Sequence, residues 1–423
     1  MKNLKATMAV TAAALLALTG CGSSNSASTT AGSGDASASG GTSITLPTPA
    51  KPASGTPVKV FYFNEEGASA SASDPNGTYA AKAAVEYINR NLGGINGRPI
   101  TMMTCASLGT PESSVNCANK AVDWKADIVI KGLDPEGEAA VPIVTGAGIP
   151  YLTLNAGAPA ELDNPLSFVP ASGYGAEYGS FAEYAKQQGY KRVAAIYTNV
   201  AALSAAVDGD VAKAFSRAGI AFSSVPVDIS TADLTSAYNT ALSKKPDLIL
   251  AFTSLAQCTA TVQARGALSD MTPLAWGPSC NVQSVYNTLS PSQLGDTYIA
   301  TGDTSAVPND KDSQTYVAAM AKYEPKGHPV GFAATSFAAV MDFYNAAKQV
   351  TDPSTLNSGT IAKELQTSKA IPLYAGEGKD FSCAARPFPA QRSACSPWAF
   401  IVKRSTDNQF SLVGSFDMAP VLK

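Results

Sequence analysis

The chain has 423 residues, enough for more than one domain of ordinary size, and 45% of them are hydrophobic, the apolar share of a globular protein. Net charge is −3, from 30 basic and 33 acidic residues with no basic block, which excludes a nucleic-acid footprint. A lone histidine, His328, and the lack of any Cys-x-x-Cys exclude the usual zinc frameworks, so neither metal nor cofactor is expected.

The chain opens with Lys2 and Lys5, an apolar run from Met8 through Leu18, and then Leu18-Thr19-Gly20-Cys21, which resembles a bacterial lipobox. Residues 1–21 therefore read as a lipoprotein signal peptide, with cleavage before Cys21 and diacylglycerol on its sulfur. The body is expected outside the cytoplasm, on the cell surface or in a periplasm, held to the membrane through that lipid. Residues 22–56 are mostly Ser, Gly, Ala, Thr and Pro and cannot bury enough surface to offset the entropy of ordering. They read as a flexible linker, reaching roughly 30 Å as a Gly/Ser-like coil. Beyond the signal no apolar run approaches the roughly 18 residues that a spanning helix needs.

With Cys21 lipidated, six of the seven cysteines remain, an even number in an oxidising compartment. They fall into three local couples, and disulfides are expected between Cys105 and Cys117, Cys258 and Cys280, and Cys383 and Cys395. Loops of this size contribute about 3 kcal/mol each through loop-closure entropy.

From residue 57 onward, strand-like apolar runs alternate with helical patterns, the signature of an α/β fold with parallel sheets. Val58 to Phe63, Ile100 to Met103, Ile128 to Ile130 and Tyr151 to Leu154 form one set of strands. Ala80, Ala83, Ala84, Tyr87 and Ile88 repeat at helical spacing between the first two, and Gly93-Gly94 stops that helix. Val193 to Tyr197, Ile220 to Val227, Leu248 to Phe252 and Leu274 to Trp276 form the second set, with a helical face at Val207, Val211, Ala214, Phe215 and Ala218. A helical stretch from Ser313 to Val350, interrupted at Pro325 to Gly331, precedes hairpin-like strands at Trp398 to Val402 and Phe410 to Val413. Two sheets imply two lobes, each with its ligand crevice at the carboxyl ends of its strands.

The ordered series of these features resembles a known family. It comprises the Val58-Lys59-Val60 strand, the helix ending Tyr87-Ile88-Asn89, Gly93-Gly94-Ile95-Asn96-Gly97 with Ile100, the Cys105 and Cys117 pair, Gly148-Ile149-Pro150-Tyr151 and Trp276-Gly277-Pro278. Together these are similar to the type I periplasmic binding proteins, specifically the leucine/isoleucine/valine-binding branch serving ABC importers, from about residue 57 to the C-terminus. The resemblance implies a two-lobed fold with a cleft that closes by hinge motion. It puts lobe one at 57–171 with 303–372 and lobe two at 172–302 with 373–423. It also implies a monomer that binds a small polar organic solute, amino-acid-like or related, and an ABC transporter permease as partner.

The family's first lobe grips a ligand carboxylate on loops after its strands. Here the first such loop, Gly132 to Glu138, is acidic, and Asp134 and Glu136 stand where hydroxyls are usual. An anion would meet like charge there, so a cationic or hydroxylated solute is favoured, unless Asp134 caps the next helix and Glu136 complements its dipole. The next loop offers Asn155 and the amides of Ala156 and Gly157, unless it is a plain turn. The loop after the first strand adds Glu65 and Ser73 beside Ser69 and Ser71. Lobe two contributes Asn199, Thr253, Ser254 and Ser279, the last standing where the family often has an acid for an ammonium group. Trp276 and Phe252 are candidates to stack on a ligand, against the commoner fate of core packing. The basic loop between Cys383 and Cys395 reads as a stapled surface turn.

A secreted hydrolase is the rival from another class. Nucleophilic catalysis needs a base near neutral pH, and His328 has no Gly-x-Ser-x-Gly partner and reads as a surface or linker residue. No P-loop or Gly-x-Gly-x-x-Gly follows a strand. The chain reads as a binder and not an enzyme. A tethered sensor feeding a signalling receptor fits the same residues, since import and sensing both need only a ligand-dependent shape change.

Overall fold

In the computed structural model the described residues are 44–67, 73–308, 310–329 and 331–423. The expected signal peptide, Cys21, the linker up to residue 43, and Ser69 and Ser71 lie outside them.

The first set of apolar runs forms β1 (Val58–Glu65), β2 (Ile100–Ser107), β3 (Ile128–Lys131), β4 (Tyr151–Thr153) and β5 (Ser167–Phe168), ordered β2-β1-β3-β4-β5 with every pairing parallel. The second set forms β6 (Arg192–Thr198), β7 (Ala221–Val227), β8 (Leu248–Phe252), β9 (Leu274–Trp276) and β10 (Thr297–Thr301). Its parallel part runs β7-β6-β8-β9-β10, the same doubly wound order. Besides a small antiparallel pair, β11 (Ile371–Pro372) with β12 (Asp380–Phe381), the chain adds β13 (Trp398–Arg404) and β14 (Phe410–Asp417) antiparallel beyond β10.

Both faces of the central strands β1, β3, β6 and β8 are covered, which is why they read as near-continuous apolar runs. Alternation sorts the side chains: Val58, Val60 and Tyr62 of β1 enter one core while Phe61 and Phe63 enter the core behind the sheet. In β8, Leu248, Leu250 and Phe252 face one core and Ile249 and Ala251 the other.

Six helices matter for the site: α1 (Pro75–Tyr87), α2 (Pro111–Asp123), α3 (Gly173–Gln188), α4 (Leu255–Ala267), α5 (Lys311–Tyr323) and α6 (Ala333–Ala347). Asp74 caps α1 by accepting the Asn76 N–H at 3.1 Å, and Pro75 takes the first-turn position whose N–H has no helical partner. At the far end Gly93, at φ 78°, turns the chain out of the helix.

The described part of the predicted linker does not hang free. Residues 44–56 have no helix or strand, yet they lie along lobe one: Leu46 packs on its core, Asn91 Nδ2 donates to the Pro47 carbonyl at 2.7 Å, and the Ser54 N–H donates to the Gly97 carbonyl at 2.8 Å. A Cβ on Gly93 would come within 2.9 Å of the Lys51 carbonyl oxygen, and one on Gly94 within 2.8 Å of the Ala53 side chain. The two glycines therefore make the seat for this strap as well as ending the helix.

Three passages join the lobes. The first, 169–172, leads from β5 to α3, and the second leaves β10 at Gly302. The third comes later than the boundary expected at 372. Ile371, Leu373, Tyr374, Phe381, Cys383 and Cys395 belong to the first lobe's core, whereas Phe388 and Ala394 belong to the second lobe's. Ala394 also bridges to Val169 of the first passage. The loop expected to be a surface turn is thus the third passage, with Phe388, Ser393 and Ala394 buried while Arg386 and Arg392 stay exposed.

The three cysteine couples are paired as expected: Cys105–Cys117, Cys258–Cys280 and Cys383–Cys395. The first and third each span 12 residues, so loop-closure entropy assigns them the same contribution, about 3 kcal/mol. Only the third staples a passage between lobes. Cys383→Ala/Cys395→Ala should therefore lower the denaturation free energy by more than Cys105→Ala/Cys117→Ala does; equal losses in guanidinium titrations would contradict this role for the loop.

Candidate functional site

In both sheets the strand order reverses beside the first strand of the set, at β1/β3 and β6/β8, and the loops leaving those strands frame a crevice. Glu65, Asp134, Asn199, Thr253 and Ser254 all sit at these two reversals.

In lobe one the β3 and β4 loops are held by a buried ion pair. Lys131 Nζ lies 2.5 Å from Glu161 Oε1, both side chains only 3% exposed, and also donates to the Asn155 carbonyl at 2.7 Å. Glu161 further accepts from Tyr151 OH at 3.1 Å and from the Gly157 N–H at 3.3 Å. The Gly157 amide, expected to face a ligand, is thus engaged within its own lobe. The Ala156 carbonyl takes the Tyr174 N–H at 2.9 Å, and Asn155 is buried with its amide nitrogen 3.4 Å from the Gly132 carbonyl.

The acidic loops are mostly self-contained. Asp134 is buried and accepts from Ser114 Oγ at 2.7 Å and from the Glu136 N–H at 2.9 Å, so it organises the turn after β3. Glu136 is half-buried, and burial, then Glu138, Asp134 and Glu65, push its carboxyl above the usual range. Glu65 is buried beside Gly109, where a Cβ has no room. Ser73 is exposed and accepts the Gly67 N–H at 3.1 Å, closing its own loop. Burial raises the Asp74 carboxyl to about 6.

In lobe two, Asn199 is exposed and accepts from Ser204 Oγ at 2.9 Å. Thr253 is buried, its hydroxyl 3.7 Å from the sulfur of Cys280, and its carbonyl accepts from Ser279 Oγ at 3.1 Å. The Ser254 N–H donates to Thr198 Oγ1 at 2.8 Å. Trp276 is fully buried in the core behind the sheet, 5.8 Å from the Tyr286 ring, and presents no face for stacking on a ligand. Phe252, expected as the other candidate, is likewise buried, in the core on the opposite face of the sheet, where it stacks on Tyr178 with ring centroids 4.0 Å apart, and Tyr178 stacks on Tyr174 at 5.4 Å.

Among the described residues the lobes also touch near the strand tips. A Cβ on Gly157 would fall 2.6 Å from Tyr174 and 3.0 Å from the Ala202 side chain, and the Gly331 N–H, just before α6, donates to the Asn281 carbonyl after β9 at 3.0 Å. His328, nearby and exposed, offers its backbone N–H to Asn76 at 2.9 Å.

Sequence reasoning missed the base of this arrangement. Glu177 and Tyr178, in the first turns of α3, reach the residues that end β10 and β9: a Cβ on Gly302 would lie 2.9 Å from Glu177 Oε1, and one on Gly277 2.5 Å from Tyr178 OH. Glu177 and Asp303 are each 3% exposed, and Glu177 Oε1, Asp303 Oδ2 and Ser172 Oγ have no hydrogen-bond partner. Burial, then Asp303, pushes the Glu177 carboxyl up to about 8, and burial raises Asp303 as well. One signal was available, since Gly173-Tyr174-Gly175-Ala176-Glu177-Tyr178-Gly179 is too glycine-rich for an ordinary helix start. Gly175 is needed because Asp210 leaves no room there for a Cβ.

Comparisons with known proteins agree with this architecture. The profile of a family described as periplasmic binding protein matches residues 58–412. Among solved structures, a fatty acid ABC transporter substrate-binding protein from Thermomonospora curvata superposes with a TM-score of 0.71 at 14% identity, covering 88% of this chain and 97% of that one. The branched-chain amino acid transporter substrate-binding protein LivJ from Streptococcus pneumoniae, in complex with isoleucine, gives 0.64 at 20% identity, covering 85% and 99%. An ABC transporter solute-binding protein from R. palustris in complex with benzoate gives 0.66 at 18%, covering 85% and 96%. At these identities the likeness establishes the fold. No curated protein matches the sequence.

The raised carboxyls set a pH dependence. A carboxyl whose folded pKa exceeds its ordinary value binds extra protons in the native state, so its contribution is fully present below about pH 4 and is lost as pH rises. For Asp74 that loss runs through about 6, and for Glu177 through about 8. Glu177→Gln should match the parent's melting temperature near pH 5 and exceed it above pH 8. Parallel melting curves across that range would show that Glu177 is not the group responsible.

Proposed function

Because the chain belongs to the periplasmic binding protein family, we propose that it is the extracytoplasmic solute-binding protein of an ABC importer, closing its two lobes around a small polar organic molecule and presenting the closed form to a permease. The observation that carries this reading is the pairing of two doubly wound sheets of the same order, whose strand-tip loops approach each other at Gly157 and Ala202 and at Gly331 and Asn281. Three passages beside one another suit a hinge, because bending needs changes in only a few loop residues. The relatives described as parts of ABC transporters support import over signalling. Family membership supports binding over catalysis.

Closure should be visible directly. Small-angle scattering of the mature protein is expected to show a smaller radius of gyration with bound solute, and hydrogen exchange should slow at the contacts around Ala202 and Gly331. A ligand that binds without either change would refute the hinge.

The anchor is part of the same proposal. No described helix is long and apolar enough to cross a membrane. A lipid on Cys21 would hold the protein to the bilayer, and with residues 44–56 laid on lobe one, only 22–43 separate that lipid from the folded body. A single acyl signal binds reversibly, whereas two chains hold stably, as a diacylglyceryl group would. Cys21→Ala should move the protein from the detergent phase to the aqueous phase in Triton X-114 partition; equal partition of both forms would exclude lipid attachment.

A further inference from the structure

We propose that the solute is an organic ammonium compound whose charged nitrogen seats between Glu177 and Asp303 at the base of the cleft, and that it needs no carboxylate. This rests on the binding-protein reading and names the chemistry of its ligand.

The first support is the sign of the cleft. The strand-tip segments at 64–67, 73–74, 132–138, 154–158, 199–203, 253–256, 277–282 and 302–308 contain no Lys, Arg or His, while they carry Glu65, Glu66, Asp74, Asp134, Glu136, Glu138 and Asp303. The cation that does approach them, Lys131, is held by Glu161 in the buried pair. A ligand carboxylate would lose its hydration without a cation to replace it, at a cost of several kcal/mol.

The second support is independent of composition. Glu177 Oε1, Asp303 Oδ2 and Ser172 Oγ are buried without partners. They sit on two passages in close contact: a Cβ on Gly302 would lie 2.8 Å from the Ala171 side chain and 2.9 Å from Glu177 Oε1. Buried polar atoms are nearly always paired, yet beside these three the hydroxyls of Ser305 and Tyr316 and Oδ2 of Asp342 are unpartnered too, which leaves a buried polar cluster incomplete. Ser305 donates its N–H to Asp303 Oδ1 at 2.8 Å, but every charged group acting on this pair and on its neighbours Tyr178, Tyr316 and Asp342 is an acid: Glu177, Asp303, Asp310, Asp312 and Asp74. The hydroxyls at hand, Ser172, Ser305 and Tyr316, are neutral and no lysine or arginine acts on the pair, so a positive charge to offset it has to come from a ligand. Tyr174 and Tyr178 lie near Glu177 and stack with Phe252, so the surroundings of the pair are largely carbon, which suits an organic cation better than a hydrated metal ion.

Without ligand, burial keeps Glu177 protonated near neutral pH. An arriving ammonium favours the carboxylate, and the displaced proton passes to the buffer.

Calorimetry on the protein from residue 22 onward, at pH 7 in two buffers of different ionisation enthalpy, tests this together with thermal shift. The probes are putrescine, ethanolamine and choline; leucine, benzoate and octanoate; myo-inositol; and potassium and calcium chlorides. At least one amine or quaternary ammonium should raise the melting temperature and release protons on binding. Glu177→Gln should weaken that binding tenfold or more, and Asp303→Asn should act likewise if the first variant folds poorly. Binding of carboxylates or myo-inositol alone, of an inorganic cation only, or of an amine with affinity unchanged in both variants would overturn the inference while leaving a binding protein. No shift with any class at millimolar concentration would count against the binding reading as well.

Discussion

The geometry of the cleft depends on one carboxylate. Glu161 gathers Lys131 from the end of β3, the hydroxyl of Tyr151 from β4 and the amide of Gly157 from the loop beyond, fixing the edge of lobe one that meets lobe two. Both partners of the ion pair are out of water, so removing either leaves an uncompensated buried charge, costing about 3–5 kcal/mol. The rigidity of this edge gives Gly157 a defined place against Tyr174 and Ala202. Had the loop been free to bend, contact between the lobes would not report on what lies between them.

The three passages provide the complementary freedom. The first and third are tied to each other by the Val169 N–H donating to the Ser393 carbonyl at 2.9 Å, and the second is tied to lobe one by the Thr304 N–H and hydroxyl donating to the Ala375 carbonyl at 2.7 Å, yet none continues a sheet from one lobe into the other. A disulfide closes the longest of them without joining it to another element. The connection therefore shortens the loop's unfolded ensemble while leaving the torsions between lobes to move.

Stability and binding pull in opposite directions at Glu177. A buried acid with an idle oxygen weakens the unliganded fold as pH rises, and such a penalty is tolerated where it prepares a site for a partner. The stacked rings of Tyr174, Tyr178 and Phe252 hold the neighbouring backbone in place, so a gain from ligand pairing is not lost to local rearrangement.

Local pattern was enough for many of the strands and helices and for the cysteine couples, because each is written in residues close together along the chain: the apolar run of Val58 to Phe63, helical spacing in Ala80 to Ile88, and cysteines 12 or 22 residues apart; it did not mark β5, β10 or α3. The sequence also put Glu65, Asp134, Asn199, Thr253 and Ser254 at strand ends. It did not reveal that Asp134 and Gly157 are already engaged, that Trp276 faces a core, that residues 44–56 lie on lobe one, or that the third passage is the stapled loop. Nor did it bring Glu177 to Asp303. Desolvation and hydrogen bonding act through space between residues far apart in the chain, so only the folded arrangement determines which polar groups are satisfied and which are left to meet a ligand.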